Sequence, residues 1–390
     1  MRLFNWKAAR GGARPMLTRA FGGYGGGYAA PRGDWPQGYE AQVRAAYLGN
    51  AVGQRAVRIV AEGAGGAPVY AMGDAAGDAA EAHPAVALLR GAANGQQLIE
   101  AAAAYLLLHG DAYIQIIADA DGLPAELHAL RPERVSIEPD ARGWPAAYLY
   151  RAGGGVARIP AQPADGLPGL VHIRTMNPLD DHYGLGCLGA AAGPVAIHNA
   201  ATIWNKALLD NAARPSGALV YDPGEAGATL SRDQFDRLKA EMDASFSGAP
   251  NAGRPMLLEG GLKWQSLSLT PADMDFVSLK AAAAREIALA FGVPPMMLGL
   301  PGDNSYANYS EANRALWRLT IVPLVTKIIA AIGGALAGWW PDLVLATDLD
   351  AVPALAVDRE KLWAQVSAAP FLSDDEKRAM LGFAPRENRP

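Results

Sequence analysis

The clearest structural pattern in the chain lies in DMDFVSLKAAAAREIALAFGVPPMMLG, residues 273–299. Apolar residues recur there at helical spacing, at Phe276, Leu279, Ala283, Ile287 and Phe291. Thr270 is suited to the N-cap, Pro271 to the first helical position, and Gly292 followed by Pro294 ends the helix. The pattern therefore predicts a helix with a narrow apolar stripe, which in an assembly would suit packing between neighbouring subunits.

Helices and a loop are predicted on either side of this segment. Residues 296–307 carry no positive charge and predict a loop, and Asn308 with Glu311 forms a capping box for a helix that runs to about residue 336. Pro323 lies inside that helix, so we expect a kink there. Upstream, residues 187–212 predict a long helix.

The region between the two long helices predicts a small unit of strands and one helix. A strand is predicted at 217–221, and a helix begins at Ser231, which forms a capping box with Gln234. Two further strands, at 255–259 and 262–269, are separated by a glycine pair and predict a hairpin.

The rest of the chain mixes helices with short strands. Helices are predicted at 39–60, 83–90, 97–108, 359–368 and 373–380, and strands at 67–72, 112–118, 126–130, 135–138, 147–151, 170–174 and 343–347. The connections between the strands before residue 186 are too short for helical crossovers, so we expect antiparallel pairs. The predicted fold class is α+β.

Composition limits the classes of protein to which the chain can belong. Its 390 residues are 51% hydrophobic and 19% charged with a formal net charge of -5, which excludes a disordered chain. At about 150 residues per domain, this length fits two or three domains. The single cysteine, Cys187, excludes a disulfide framework and a cysteine-based metal site, and fits a reducing cytosol.

The first 39 residues form a distinct basic segment. Residues 1–60 contain nine basic and two acidic residues, and glycines and prolines interrupt the first forty, with Tyr24 and Tyr28 between them. Such a segment cannot bury enough apolar surface to offset its ordering entropy, so a flexible arm is predicted at 1–39. This arm could contact nucleic acid, form a solvated tail or pack on a neighbouring molecule, and the sequence does not decide among these roles.

One apolar run has the length of a membrane span. Residues 319–340 include only Lys327 as a charged residue, and about 20 apolar residues suffice to cross a bilayer. Pro323 and three glycines argue against a span, because no second span exists to satisfy the carbonyl that proline frees. We therefore predict a kinked helix buried in an assembly. A membrane-associated protein is the alternative, which detergent dependence would reveal.

No arrangement of residues in the sequence points to catalysis. A phosphate-binding G-x-x-x-x-G-K-[ST] loop, a dinucleotide fingerprint and a G-x-S-x-G turn are all missing from it. The six histidines do not stand at metal-ligand spacing. Cys187 has no paired base, so we expect it to be a small packing residue. Two acidic pairs, at 180–181 and at 348 and 350, could in principle bind a divalent ion. We predict instead that these residues cap turns or lie on the surface. We expect no enzymatic activity, cofactor or metal; an α+β enzyme of unknown chemistry is the alternative.

Nine segments, taken in order, carry a resemblance to a known family. They are AVGQRAVRIVAE (51–62), HPAVALLR (83–90), LLLHGDAYIQI (106–116), ELHALRPERV (126–135), YGLGCLGAAAG (183–193), NAARPSGALVYD (211–222), NAGRPMLLEGGLKWQSLS (251–268), the segment 273–299 and NYSEANRALWRLTIVPL (308–324). Together they resemble the portal, or head-to-tail connector, proteins of tailed bacteriophages, of the siphophage type that also occurs in gene transfer agents. Each segment alone is weak, but their number and order are specific over residues 40–340.

The resemblance implies a portal-type fold, a ring of about twelve copies at one capsid vertex, and a central channel for double-stranded DNA. Its parts would be a wing at 40–186, stem helices at 187–213 and 273–293, a clip at 214–272, a tunnel loop at 294–307, a kinked wing helix at 308–340 and a helical crown at 341–390. The implied partners are further copies of the chain, double-stranded DNA bound without sequence preference, the terminase large subunit, the head–tail adaptor and the major capsid protein, without a membrane. The virion would be a phage or a gene transfer agent assembled in the bacterial cytoplasm.

The resemblance also assigns roles to individual residues. The DNA-facing tunnel loop would contain Met296, Met297, Leu298, Leu300, Asp303, Asn304, Ser305 and Tyr306. The clip residues that meet terminase and adaptor would include Ser231, Gln234, Asn251, Arg254, Lys263 and Trp264. Pro323 would act as a hinge in the wing helix.

The charge of the predicted loop suits DNA that slides. A protein that neutralises about 6–10 phosphates binds with an affinity that would hold the duplex in place. The loop residues include one negative and no positive charge, so we expect weak, sequence-independent contact. An ordinary connecting loop is the alternative, and a specific DNA binder would instead show a salt dependence that is lost on deletion of residues 1–38. The subunit number depends on interface angles, which the sequence does not reveal.

Overall fold

The structure is a computed structural model that describes residues 17, 36, 38–72, 83–90, 95–163, 166–210, 217–221, 231–246, 262–266, 276–300 and 306–381. The helices in these residues are α1 (Tyr39–Val43), α2 (Ala51–Gly65), α3 (Pro84–Arg90), α4 (Gly95–Leu108), α5 (Leu188–Asp210), α6 (Arg232–Phe246), α7 (Phe276–Ala290), α8 (Tyr306–Leu316), α9 (Val322–Leu336), α10 (Ala356–Ala368) and α11 (Asp374–Leu381). The strands are β1 (Val69–Met72), β2 (Asp111–Ala118), β3 (Pro124–Leu130), β4 (Val135–Pro139), β5 (Pro145–Ala152), β6 (Gly155–Pro160), β7 (Leu170–Arg174), β8 (Gly217–Tyr221), β9 (Leu262–Ser266) and β10 (Val344–Thr347).

The strands form four small sheets, in which the order is β3-β2-β7, β4-β5-β6, β1-β10 and β8-β9. Every pair is antiparallel, which confirms the α+β class and the prediction from short connections. Sequence analysis missed β6, because almost all of its side chains are exposed and its sequence lacks the alternation of a half-buried strand. In β1-β10, a strand near the C-terminal end of the chain pairs with one from the first seventy-two residues.

One large hydrophobic core joins helices from both halves of the chain. The pairs α2 with α4, and α9 with α2 and α4, pack closely, and α7 contacts α2. Ala56, Ala102, Ile287, Ile328 and Ile332 have no exposed surface there. At about 25 cal/mol per Å² of buried apolar area, this joint burial is the main stabilising term. A smaller cluster around Tyr113 and Tyr148 lies between the two three-stranded sheets.

The predicted start of the helix at Asn308 differs from the structure, and some predicted elements lie outside the described residues. Helix α8 begins at Tyr306, so Asn308 lies in its first turn and the predicted capping box with Glu311 is wrong. A capping motif is a local pattern, and it does not register that α8 packs on a 3-10 helix at Pro295–Leu298. Strand β9 pairs with β8, whereas the hairpin partner predicted at 255–259 lies outside the described residues, as do Thr270 and Pro271.

The predicted irregularity near Pro323 takes the form of a π-helical turn, Trp317–Ile321, between α8 and α9. The N–H of Val322 donates to the carbonyl of Trp317, five residues back, and Pro323 follows without an N–H of its own. A wide turn before proline relieves the clash between the ring and the preceding turn of helix. The two helices therefore meet at an interruption with a defined hydrogen-bonding pattern.

Among the described residues, the run Asn308–Leu336 is long and apolar enough to cross a membrane by length and composition. A core helix passes the same test, so this is weak support for a span. The face of α9 that carries Val325, Ile328, Ile329, Ile332 and Leu336 is almost completely buried inside the chain. The apolar character of α9 is thus accounted for by its packing.

Candidate functional site

The two predicted stem helices, α5 and α7, lie against each other. Asn50 holds α5 to the start of the chain: its amide donates to the side chain of Asn199 at 2.8 Å, and Asn199 donates to the carbonyl of Ala45 at 3.0 Å. Burial and then the positive charge of Lys280 lower the pKa of His198 on the same face. This polar group fixes the middle of α5 on the π-helical turn at Arg44–Leu48.

The apolar stripe predicted for α7 is divided between the inside and the surface. Ala283, Ile287 and Phe291 are buried within the chain, whereas Leu279 is exposed. The prediction that this stripe packs between neighbouring subunits is therefore wrong for Ala283, Ile287 and Phe291, which the core of a single copy already covers.

Large apolar side chains nevertheless remain on the outer surface of both helices. Val277 and Leu289 on α7 are 81% and 79% exposed, and Ile203 on α5 is 70% exposed. Trp204 is partly exposed and stacks on Phe276 with 5.8 Å between the ring centroids.

The predicted tunnel-loop residues fall into three groups. Met296, Met297 and Leu298 lie in the 3-10 helix Pro295–Leu298, in which Met297 and Leu298 pack against the core, and the half-buried Leu300 follows. Tyr306 is the first residue of α8. The remaining three, Asp303, Asn304 and Ser305, lie outside the described residues. The first residues of the predicted tunnel loop therefore pack against the core through Met297 and Leu298.

Four of the six predicted clip residues are described, at the start of α6 and on β9. The capping box is confirmed: the N–H of Ser231 donates to the Gln234 side chain at 2.9 Å, and the Gln234 N–H donates to the Ser231 hydroxyl at 3.3 Å. Lys263 and Trp264 lie on β9, opposite Val220 and Leu219 of β8. Asn251 and Arg254 lie outside the described residues. Phe235 is exposed on the first half of α6.

Pro323, the predicted hinge, is exposed at the second position of α9. The π-helical turn before it contacts two other helices. Its Ile321 side chain packs against Gly63 of α2 so closely that a Cβ on Gly63 would lie 2.6 Å from the Ile321 Cδ1. Its Thr320 hydroxyl donates to the carbonyl of Gly292, just after α7. The interruption therefore sits where α2, α7 and α9 meet.

A buried polar cluster was missed by sequence analysis. Asp111, at the start of β2, has no exposed surface, and its carboxylate accepts from Nε2 of His172 at 2.8 Å and from the N–H of Gly184 at 2.9 Å. The Nδ1 of His109 lies 3.3 Å from the same carboxylate. Burial raises the pKa of Asp111, but the hydrogen bonds from His109, His172 and Gly184 outweigh it and lower the pKa. We call Asp111, His109 and His172 the Asp111 cluster.

The remaining candidate groups have structural roles. Asp180 accepts from the N–H groups of His182 and Tyr183, and Asp348 accepts from the N–H of Asp350, as predicted for caps. Burial raises the pKa of the Cys187 thiol, which packs against the core. In the part of the chain that the structure describes, no three His, Cys, Asp or Glu side chains are grouped as metal ligands would be.

Comparison with known proteins places these elements in a family. A family model for phage portal proteins matches residues 51–382 of the chain. The chain belongs to the phage portal protein family. An uncharacterized protein of Rickettsia felis is 39% identical to it over 351 residues, which cover 87% of this chain and 88% of the relative.

Solved structures agree with the family. The neck of an empty gene transfer agent particle, computed with C6 symmetry, contains a chain 46% identical to this one, with a TM-score of 0.69 and coverage of 89% of this chain and 94% of that chain. The neck of a native particle, computed with C12 symmetry, gives 46% identity, a TM-score of 0.67, and coverage of 89% and 93%.

Membership confirms the predicted family and portal-type fold, and it gives the chain the role of a portal protein in a phage or phage-like particle. The family is structural, not enzymatic.

Proposed function

We propose that about twelve copies of the chain form a ring at one vertex of a capsid, and that double-stranded DNA passes through its centre during packaging and ejection. The observation that carries this proposal is the 46% identity, over 89% of the chain, to a protein in a neck computed with C12 symmetry. Closed rings form when one face of a protein binds a different face of the next copy. On this proposal the ring is assembled in the bacterial cytoplasm and works in the virion.

The exposed apolar side chains of α5 and α7 support contacts between copies. Ile203, Val277 and Leu289 are large apolar side chains that a single copy leaves exposed, and they lie on the two helices assigned to the channel wall. Large, permanent interfaces are as apolar as a protein core. In the ring, these side chains would be covered by the neighbouring copies.

Weak contact between channel and DNA follows from the charge of the tunnel segment. The described part, Met296 to Leu300, is uncharged, and the whole chain has a net charge of -5. Few phosphates would therefore be neutralised, and the duplex would slide.

The clip would bind first the terminase large subunit and later the head–tail adaptor. The exposed Phe235 on α6 supports this role, because an aromatic side chain in a surrounding of charged residues suits a docking surface. The major capsid protein would contact the outer wing.

Ring formation and its interface can be tested together. Ile203→Asp and Leu289→Asp place a charge on exposed positions of α5 and α7, so each variant should fold but fail to close rings by negative-stain electron microscopy. Val156→Asp, at an exposed position on β6, is the matched control and should keep its rings. Rings from all three variants would contradict the interface, and a wild-type chain that never forms rings would contradict the function.

A further inference from the structure

The Asp111 cluster lies at a joint where the wing meets the first stem helix. Three elements contribute side chains or backbone to it: the end of α4 with His109, the start of β2 with Asp111, and β7 with His172. Residues 175–187 cross this joint and lead directly into α5. Their Gly184 supplies a backbone donor to the Asp111 carboxylate.

Hydrogen bonds and close backbone contacts hold residues 175–187 against residues 107–110. The N–H of Thr175 donates to the carbonyl of Gly110 at 2.8 Å, and the N–H of Cys187 donates to the carbonyl of Leu107 at 2.7 Å. A Cβ on Gly184 would overlap the carbonyl oxygen of Gly110, and one on Gly186 would overlap that of Leu108. Because α5 begins one residue after Cys187, these contacts fix the position from which it starts.

The charge of Asp111 makes the joint cooperative. A buried carboxylate is costly unless every lone pair has a donor, so the arrangement is stable only while α4, β7 and residue 184 are all in place. Aromatic rings pack against both histidines: Tyr39 packs edge-on to His109 at 4.8 Å, Tyr113 stacks on His172 at 4.4 Å, and Tyr148 packs edge-on to His172 at 5.7 Å. Arg174, also on β7, donates to the carbonyl of Asp181 in the same crossing segment.

We propose that the Asp111 cluster fixes the direction of α5 relative to the wing and thereby sets how many copies close the ring. This inference rests on the proposed function. Twelve copies require a rotation of about 30° from one copy to the next, and thirteen require about 28°. The two assemblies therefore differ by about 2° in the rotation between neighbouring copies. A joint held by a buried charge and by close backbone contacts would keep the direction of α5 the same in every copy.

Asp111→Asn tests the proposal, because the amide has the shape of the carboxylate without its charge. We expect a folded variant whose rings are a mixture of subunit numbers by native mass spectrometry, and whose amides at 184–187 exchange with deuterium at least tenfold faster. His128→Gln is the matched control: His128 on β3 also pairs with a carboxylate, that of Glu126 at 2.6 Å, but on the surface. It should form rings of one size.

His172→Gln provides a second test in case Asp111→Asn does not fold. In this variant Asp111 keeps its charge and its donors from His109 and Gly184. Rings of a single, wild-type size from the folded variants, with unchanged exchange at 184–187, would overturn the proposal and leave the ring function intact. A wild-type chain without rings would overturn the proposed function, and this inference with it.

Discussion

The hydroxyl of Thr320 donates a hydrogen bond to the carbonyl of Gly292, with 2.7 Å between the two oxygen atoms. Thr320 lies in the π-helical turn before Pro323, and Gly292 follows the last turn of α7 with a φ of +66°, a conformation that favours glycine. The bond therefore connects the interruption of the long wing helix to the end of a stem helix. Movement at the interruption would be transmitted to the segment that follows α7.

Thr320→Val removes this bond while keeping the shape of the side chain. We expect the free energy of unfolding to fall by about 1 kcal/mol, because the Gly292 carbonyl loses its partner. Denaturant unfolding measures the change. Thr202→Val is the matched control: Thr202 donates only to the carbonyl of His198 within its own helix, so its loss should be smaller. Equal losses would show that the Thr320 contact adds nothing beyond a local bond.

Pro323→Ala restores a backbone N–H at the second position of α9. The helix could then form regular bonds through the π-helical turn, so we expect α8 and α9 to straighten and the wing to shift against the tunnel segment. Electron microscopy of the ring and the amount of DNA packaged are the measurements. Unchanged ring shape and normal packaging would show that Pro323 is not a hinge.

Gly184→Ala tests the close approach at the joint. The added Cβ would overlap backbone atoms, which cannot move aside as a side chain can, so we expect a loss of more than about 3 kcal/mol or failure to fold. Gly334→Ala on α9 is the control, because a Cβ there meets nothing within 4 Å and the helix gains up to about 1 kcal/mol. Thermal unfolding distinguishes the two, and a stable Gly184→Ala variant would contradict the geometry.

Asp350→Asn tests the ion pair that holds α10 near β10. Hydrogen bonds from Arg359, at 2.5 and 2.9 Å, outweigh partial burial and lower the pKa of Asp350 below its ordinary value of 3.8. A lowered pKa stabilises the fold above about pH 4, and this contribution is lost as the pH falls through the folded-state pKa. We expect the free energy of unfolding of the variant at pH 7 to be lower than that of wild type by up to about 1 kcal/mol. The difference should shrink progressively as the pH falls below 3.8.

Glu138→Gln, which removes an exposed pair with Arg158, is the control for that series and should have a smaller effect at pH 7. A difference between wild type and Asp350→Asn that does not shrink as the pH falls below 3.8 would show that the charge of Asp350 is not the cause.

Replacement of residues 299–305 by a glycine–serine linker tests the tunnel role. The 3-10 helix before it and α8 after it remain, so rings should form as in wild type. We expect DNA packaging or retention to be impaired. Normal packaging, measured as DNA per particle, would contradict a role for this segment in the channel.

Local patterns explain which parts of the fold the sequence predicted. The capping box of Ser231 and Gln234 was found because both residues lie within one turn, and the antiparallel pairs followed from short connections. The capping box predicted for Asn308 and Glu311 was wrong, since Asn308 already lies within α8. The π-helical turn before Pro323 was expected only as a kink, since the proline marks the place but not the hydrogen-bonding pattern.

The Asp111 cluster shows why the joint could not be predicted. His109, Gly110 and Asp111 indicated only the end of a helix, and His172 lies on a strand sixty-one positions after Asp111. Nothing in the spacing brings these side chains together; the pairing of β2 with β7 does so, by placing Tyr113 opposite His172. Contacts between distant residues depend on register, which a single sequence does not specify.

Native mass measurement of the purified chain, with negative-stain microscopy beside it, decides whether the chain assembles into a ring. We expect rings with a central hole and a mass of about 490 kDa, from twelve copies of 40.8 kDa. A chain that stays monomeric at 40.8 kDa, even when capsid protein is present, would contradict ring assembly.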